Sequence, residues 1–374
     1  MSSSPDRPAW THTGYAQRLV FGPGAVKQLS DLLRSVGSRR AMLVTTAGRL
    51  ASDDGQRVVR SIGSALASTF AEVTSHAPAP TVQAAVLQAR RDGVDAIVSF
   101  GGGSCADTGK AINFFAEQEA GTPGASWADR PALPHIAVPT TYSGAELTPF
   151  FGMTDPHTRQ KQGAGGPTCA PVAAVYDVSL TLSTPARVSA ETGMNALAHC
   201  VEIVWSSSRT PEAEAIALAG AARIVDALPR VVDDPADLDA RSRMLEGAAL
   251  GGRCLQNGTM GIHHGLAQLV GGRTGIPHGL ANAIILPHAI RYNEPAVPDA
   301  VACIGEAIGA PDGPADAVAQ LVRGMGLPTE LSACGVTEDD LDAVARLSQS
   351  NFGVQSNPRA VTEDDARAVL QAAF

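Results

Sequence analysis

Asn195 and His199 stand four residues apart in the stretch GMNALAHC. On a helix this spacing puts both side chains on one face, where they can reach one metal ion or one substrate. Further along, GIHHGLAQLVGGRTGIPHGLANAIILPHAIRYN gathers four of the nine histidines. His264 and His278 flank a glycine-rich loop, with His263 beside the first and His288 beyond the second. One histidine alone usually fills a satisfied core position, but His199 with this pair makes a convergent set. We expect His199, His264 and His278 to line one pocket with His263 adjoining it, and His288, after Leu286 and Pro287, to be structural. Imidazoles grouped this way hold divalent metals or move protons near neutral pH. A metal set normally includes a carboxylate for its charge, and the amide of Asn195 supplies none.

A second chemistry is written in SFGGGSCADTGKA. Gly101, Gly102, Gly103 and Ser104 lie between a buried strand and a helix, so their amides can approach a pyrophosphate at a helix N-terminus. The turn is neither G-x-G-x-x-G nor a P-loop. Thr140 and Thr141, in PTTYSGAE, close another strand at the same sheet edge and offer hydroxyls to a nucleotide. Tyr142 follows them as a candidate proton donor. Lys161 is a lone cation in the glycine-rich loop expected at TRQKQGAGG.

The elements that must position these groups fall into two rhythms. RRAMLVTTA, FAEVTSH, VDAIVSFGGGS and HIAVPTTYS read as strands; GQRVVRSIGSALAS and TVQAAVLQARRDG read as amphipathic helices between them. Alternating strands and helices imply an α/β domain with a parallel sheet covered on both faces. After about residue 185 helical segments dominate, such as PARVSAETGMNALAHCVEIVWSS and PEAEAIALAGAARIVDALPRVV. Pro211 suits a first helical turn, and Thr362 with Asp365 suits an N-cap. The boundary falls between residues 155 and 185, which we set as 1–165 for the α/β nucleotide-binding domain and 166–374 for an all-helical catalytic domain.

The bulk composition narrows the class. With 374 residues the chain can bury two cores, and 44% hydrophobic against 17% charged residues argues for a globular protein. A net charge of -9, with no basic cluster longer than SRRA or ARRDG, argues against nucleic acid as partner. Six scattered cysteines without a C-x-x-C pair read as reduced thiols of a cytoplasmic protein. The N-terminal stretch has no apolar core of a signal peptide, and no apolar run suits a membrane span.

FGPGAV, GGGS, PTTYSGAELTPFFGMTD, YDVSLTLSTP, GMNALAHCVE and the histidine-rich stretch occur in one order along the chain. Together they resemble the iron-containing alcohol dehydrogenases of the dehydroquinate-synthase-like fold, over nearly the whole length. The resemblance implies a nucleotide-binding α/β domain, a helical domain and a cleft between them. Metal-dependent members hold iron or zinc with one Asp and three His; those places fall at Asn195, His199, His264 and His278. A further family histidine falls at Gln268. The paired His263 and His264, Asn195, and YSGAELTPFFGMTD followed by Lys161 look most like the metal-free maleylacetate reductase branch. That branch uses NADH or NADPH to reduce the carbon–carbon double bond of maleylacetate to 3-oxoadipate.

This resemblance implies an NAD(P)H-dependent reductase without metal, acting on maleylacetate or a related small anionic enoate or keto acid. Its catalytic set would be Asn195, His199, His263, His264, His278, Tyr142 and Lys161, with the histidines, where protonated, and Lys161 drawing the substrate carboxylates. Thr46 ends the first strand where NAD-preferring relatives place Asp, so neither cofactor is strongly excluded. Thr148, Leu180 and Lys161 join Thr46, Gly101, Gly102, Gly103, Ser104, Thr140 and Thr141 as nucleotide contacts. A homodimer is expected. One rival is an alcohol or aldehyde dehydrogenase whose metal sits on His199, His264 and His278. The other is a non-redox lyase or cyclase, or an inactive homologue.

Overall fold

A computed structural model describes residues 10–121, 130–155 and 161–374, with only the backbone of Lys161 and Gln162. Six strands form one parallel sheet: β1 (Arg18–Phe21), β2 (Ala41–Val44), β3 (Leu66–Phe70), β4 (Ala96–Gly101), β5 (His135–Pro139) and β8 (Ala173–Tyr176). Their spatial order is β1-β8-β5-β4-β2-β3. β6 (Phe150–Thr154) and β7 (Lys161–Gly165) make a separate antiparallel hairpin. Every residue of β2, β4 and β5 is buried, as expected of parallel strands covered on both faces.

Helices α1 (Leu29–Ser35), α2 (Ala47–Ala51) and α3 (Asp53–Ile62) precede β3, and α4 (Ala79–Arg91) and α5 (Gly103–Glu119) follow it. Leu43 and Val98 pack with Leu29, Leu33, Val58 and Ile62 on one face of the sheet. Met42, Val44 and Ile97 pack with Ala85, Ala89 and Ile112 on the other. The strand order reverses between β2 and β4, because β3 follows β2 outward on one side and β4 returns on its other side. In such sheets ligands bind outside the carboxyl ends of the strands at this switch point. Thr46 and the glycine turn both lie there.

The helical part comprises α6 (Ala186–Trp205), α7 (Pro211–Asp233), α8 (Leu238–Cys254), α9 (Ile262–Thr274) and α10 (His278–Asn293). It continues with α11 (Pro298–Ala307), α12 (Pro314–Gly324), α13 (Glu338–Ser348), α14 (Phe352–Gln355) and α15 (Glu363–Ala372). Of the 20 residues of α6 almost all are buried, so it is the central helix against which the others pack. Pro211 does occupy the first turn of α7, capped by Thr210, and Thr362 with Asp365 does form a capping box on α15. Among the described residues no helix is long and apolar enough to cross a membrane.

Three readings need correction. β8 pairs with β1 and β5 in the sheet, so the α/β part runs past residue 165, through Tyr176. The strand expected in FAEVTSH lies earlier, at Leu66–Phe70: α3 ends before Gly63, whose φ of 66° stops the helix, and His76 and Ala77 turn with positive φ. Lys161 belongs to a hairpin strand rather than a loop.

Candidate functional site

The glycine turn is built for close approach. Gly101 has φ 144°, open to glycine alone, and a Cβ there would meet Cys105 Sγ at 2.6 Å. A Cβ on Gly102 would lie 3.4 Å from Thr141, and one on Gly103 3.1 Å from Ser143 Oγ. α5 starts after Gly102 with no side-chain cap, which leaves its first amides for an anion. The hydroxyls of Thr140 and Thr141 are buried beside this turn without a hydrogen-bond partner among the described residues. Orphaned hydroxyls, a glycine cradle and an uncapped helix start fit the pyrophosphate of a dinucleotide.

Other expected nucleotide contacts are placed differently. Thr46 caps α2, its hydroxyl accepting from the Arg49 amide at 3.2 Å. Arg49, which the sequence reading did not single out, donates to Ser183 Oγ at 2.7 Å and to Thr184 Oγ1 at 3.0 Å at the same edge. The Thr148 hydroxyl is engaged by the buried Lys110, which also donates to the carbonyls of Ala145 and Phe150 and pairs with Asp107. Leu180 is wholly buried in the core beneath α1 and α3. Thr148 is 2% exposed and Leu180 0%. Ser104 lies in the first turn of α5, and the Lys161 side chain lies outside the described residues.

Across from the turn, α6 presents Asn195 and His199, each 6% exposed. His199 stacks on His264 with ring centroids 4.8 Å apart, and His264 lies 5.8 Å from His278. The structure thus brings His199, His264 and His278 into one row, with His264 in the middle and His263 edge-on behind it at 4.9 Å. The His278 ring is only partly buried. The loop after β5 reaches this row through Gly144, φ 73°, where a Cβ would come 2.9 Å from Gly252 Cα of α8 and 3.7 Å from His199 Nδ1.

Tyr142 does not join them. It is fully buried in the helical core, and its hydroxyl receives a hydrogen bond from Arg241 at 3.3 Å. The proton-donor role expected of it is corrected accordingly. His288 sits apart on α10, beyond Pro287.

A carboxylate the sequence reading missed organises the histidines. Glu202, on α6, is fully buried and accepts from the amides of Gly261, His263 and His264 at 2.9, 3.2 and 3.1 Å. It also accepts from His264 Nδ1 at 2.5 Å. α9 has no cap of its own, so Glu202 supplies it from α6, with Asn357 accepting from the Ile262 amide. Its signal was present: Asn195, His199 and Glu202 recur at i, i+4 and i+7, one face of a helix. Burial acts to raise the Glu202 pKa, but hydrogen bonds from His263 and His264 outweigh it and hold the group ionised well below the carboxylate range. Burial, reinforced by His264, drives the His199 imidazole far below its usual value. His199 is therefore neutral at neutral pH and does not meet the condition under which it would draw a carboxylate by charge.

Asn282, also missed, ties Asn195 of α6 to His263 of α9. Its side chain donates to Asn195 Oδ1 at 2.8 Å, and its carbonyl accepts from His263 Nε2 at 2.9 Å. Among the described residues the metal-ligand cluster is Glu202, His263 and His264, with ligating atoms within 4.8 Å, but these atoms are held by the hydrogen bonds just given. At the row itself the donors are three imidazoles and an amide oxygen already hydrogen-bonded. That set does not fit an iron site of three histidines and an aspartate.

The chain matches two family models: iron-containing alcohol dehydrogenase over residues 16–178, and the C-terminal part of that family over 189–374. It is 35% identical over 365 residues to a maleylacetate reductase of Rhizobium sp. (strain MTP-10005), covering 98% of this chain and 97% of the relative. A crystal structure of maleylacetate reductase from Agrobacterium tumefaciens superposes with TM-score 0.87 at 32% identity, covering 98% of each chain. The sulfoacetaldehyde reductase of Bifidobacterium kashiwanohense, solved with NAD+, superposes with TM-score 0.89 at 26% identity, covering 98% of this chain and 99% of that one.

Proposed function

The chain belongs to the iron-containing alcohol dehydrogenase family and is an oxidoreductase, and from that premise we propose that it reduces maleylacetate or a related small anionic enoate or keto acid with NADH or NADPH, without metal. The observation that carries this reading is Asn195, whose amide oxygen is committed to Asn282 where metal-dependent relatives place an aspartate. Losing that carboxylate weakens divalent binding and removes repulsion toward an anionic substrate. Full-length similarity to maleylacetate reductases supports the substrate class.

The nicotinamide, when bound, supplies hydride to the electrophilic carbon of the double bond. The glycine turn, α5 and the hydroxyls of Thr140 and Thr141 would hold the pyrophosphate of the dinucleotide. His264, its Nδ1 proton committed to the Glu202 carboxylate, exchanges protons through Nε2 and donates to the adjacent carbon. The neutral His199 packs against it and excludes water. The outer edge of β1, with Leu19 and Phe21 39% and 41% exposed, supports a homodimer.

The test is oxidation of NADH and NADPH with maleylacetate, other enoates and aldehydes, with and without chelator, in wild type and Asn195→Asp. Wild type should keep its activity under chelation and carry little metal. Asn195→Asp should take up more zinc or iron and raise KM for the dianion several-fold, as expected for a charge repulsion of about 1 kcal/mol. Stoichiometric metal in active wild type, with activity lost on chelation, would instead support an alcohol dehydrogenase using His199, His264 and His278.

A further inference from the structure

At the amino-terminal edge of the sheet, opposite the glycine turn, lies a cavity of about 920 Å3. It opens between α1 and α3, where Ser38 and Arg39 lead into β2 and Gly63 to Ala65 lead into β3. Five cationic side chains line it: Lys27, Arg34, Arg39, Arg57 and Arg60, along with four serines and no carboxylate. This concentration of one sign stands out in a chain whose net charge is -9.

Four of the five have a local explanation. Arg34 and Arg60 occupy the last turns of α1 and α3, where cations offset the carbonyl ends of a helix. Arg34 also pairs with Asp31, and Arg57 with Asp54 at 3.1 Å. Lys27 likewise lies in the last turn of a short 3-10 helix, Ala25–Gln28. Arg39 has neither explanation, and among the described residues no carboxylate pairs with the side chains of Lys27, Arg39 or Arg60. With ion pairs only at Arg34 and Arg57 among the described residues, the cations gathered round this concavity repel one another unless an anion joins them.

We propose that this cavity binds a small oligophosphate, separately from the nucleotide held at the glycine turn. Its volume lies in the range of small-molecule sites, and guanidinium forks match phosphate oxygens two at a time. The shared chemistry is a phosphate chain, carried either by a nucleoside or as the inorganic polymer. α3 connects the cavity to the cofactor edge: Arg57 pairs with Asp54, Asp54 accepts from Ser183, and Arg49 donates to Ser183.

The test is calorimetric titration of full-length protein at saturating NADPH, so that the nucleotide site is filled, with tripolyphosphate in one arm and ATP in the other. Wild type should bind one tripolyphosphate per chain with Kd below about 1 mM. Binding should weaken with added salt. Arg39→Glu/Arg60→Glu should weaken it at least tenfold, and Lys27→Gln/Arg39→Gln by a smaller factor. Both changes lie on exposed side chains, so melting temperature and kcat without the anion should stay put. ATP binding tighter than tripolyphosphate assigns a nucleotide; equal affinity assigns the inorganic chain. No binding in either arm, or equal binding by wild type and the charge-reversed variant, overturns the site.

Discussion

At the scale of single residues, the centre depends on a fully buried carboxylate. Glu202 holds three amides of α9 and the Nδ1 proton of His264. In Glu202→Gln the amide group would point a donor at other donors, leaving α9 amides without an acceptor. We expect kcat/KM to fall 10- to 100-fold, as for other residues that orient a functional histidine, with a lower melting temperature. Steady-state kinetics alongside calorimetric melting checks both; a variant that melts lower yet keeps full kcat/KM would reduce Glu202 to a helix cap. His264→Ala should lose about two orders of magnitude in kcat/KM with little change in melting temperature. If its folded fraction is fully active, the proton comes from elsewhere. The spacing of Asn195, His199 and Glu202 was legible because a helix repeats its faces. Asn282 was not, because its partner Asn195 lies 87 residues away and only packing of α10 on α6 brings them together.

At the scale of elements, the turn between β4 and α5 was legible, since buried strand, glycines and helix follow one another without interruption. Gly102→Val should weaken NADPH binding at least tenfold, about 1.4 kcal/mol, because its side chain fills the space facing Thr141. Fluorescence titration of the cofactor checks this; unchanged affinity in a folded variant would make the turn a mere connector. Short strands escaped notice. β1 and β8 have four residues each, and β7 reads KQGAG, too glycine-rich for any strand pattern. Such strands are specified by the neighbours they pair with rather than by their own composition. Tyr142 misled for a related reason: its place beside Thr141 suggested the cleft, whereas Arg241, 99 residues on, draws its hydroxyl into the core.

At the scale of the whole molecule, the buried His135 and the partly buried His288 contribute to the response to acid. Burial, with Lys110 nearby, pushes His135 down to about 3, and burial takes His288 to about 4, against 6.5 for both when unfolded. The unfolded chain takes up protons that the folded chain refuses. Their contribution to stability is therefore full above about pH 6.5 and drains away as the pH falls from there toward 3, by about 2 kcal/mol for the buried His135 between pH 7 and 5 and by less for the more exposed His288. Urea unfolding at pH 7 and pH 5 should show the loss, and His135→Gln should shrink it; an identical loss in the variant would clear His135. The two-part architecture was legible from rhythm alone, but its border was not, because β8 closes the first sheet only after the β6–β7 hairpin has intervened. The cap that Glu202 places on α9 has a bearing on how the chain acquires its shape. α9 begins at Gly261 without a local cap, and its first amides are held from α6 and by Asn357, near the far end of the chain. Its opening turn is thus completed by contacts distant in sequence, which close late in folding. On refolding from denaturant, helical circular dichroism should return first and enzymatic turnover after a lag, since the centre assembles only when the last helices arrive.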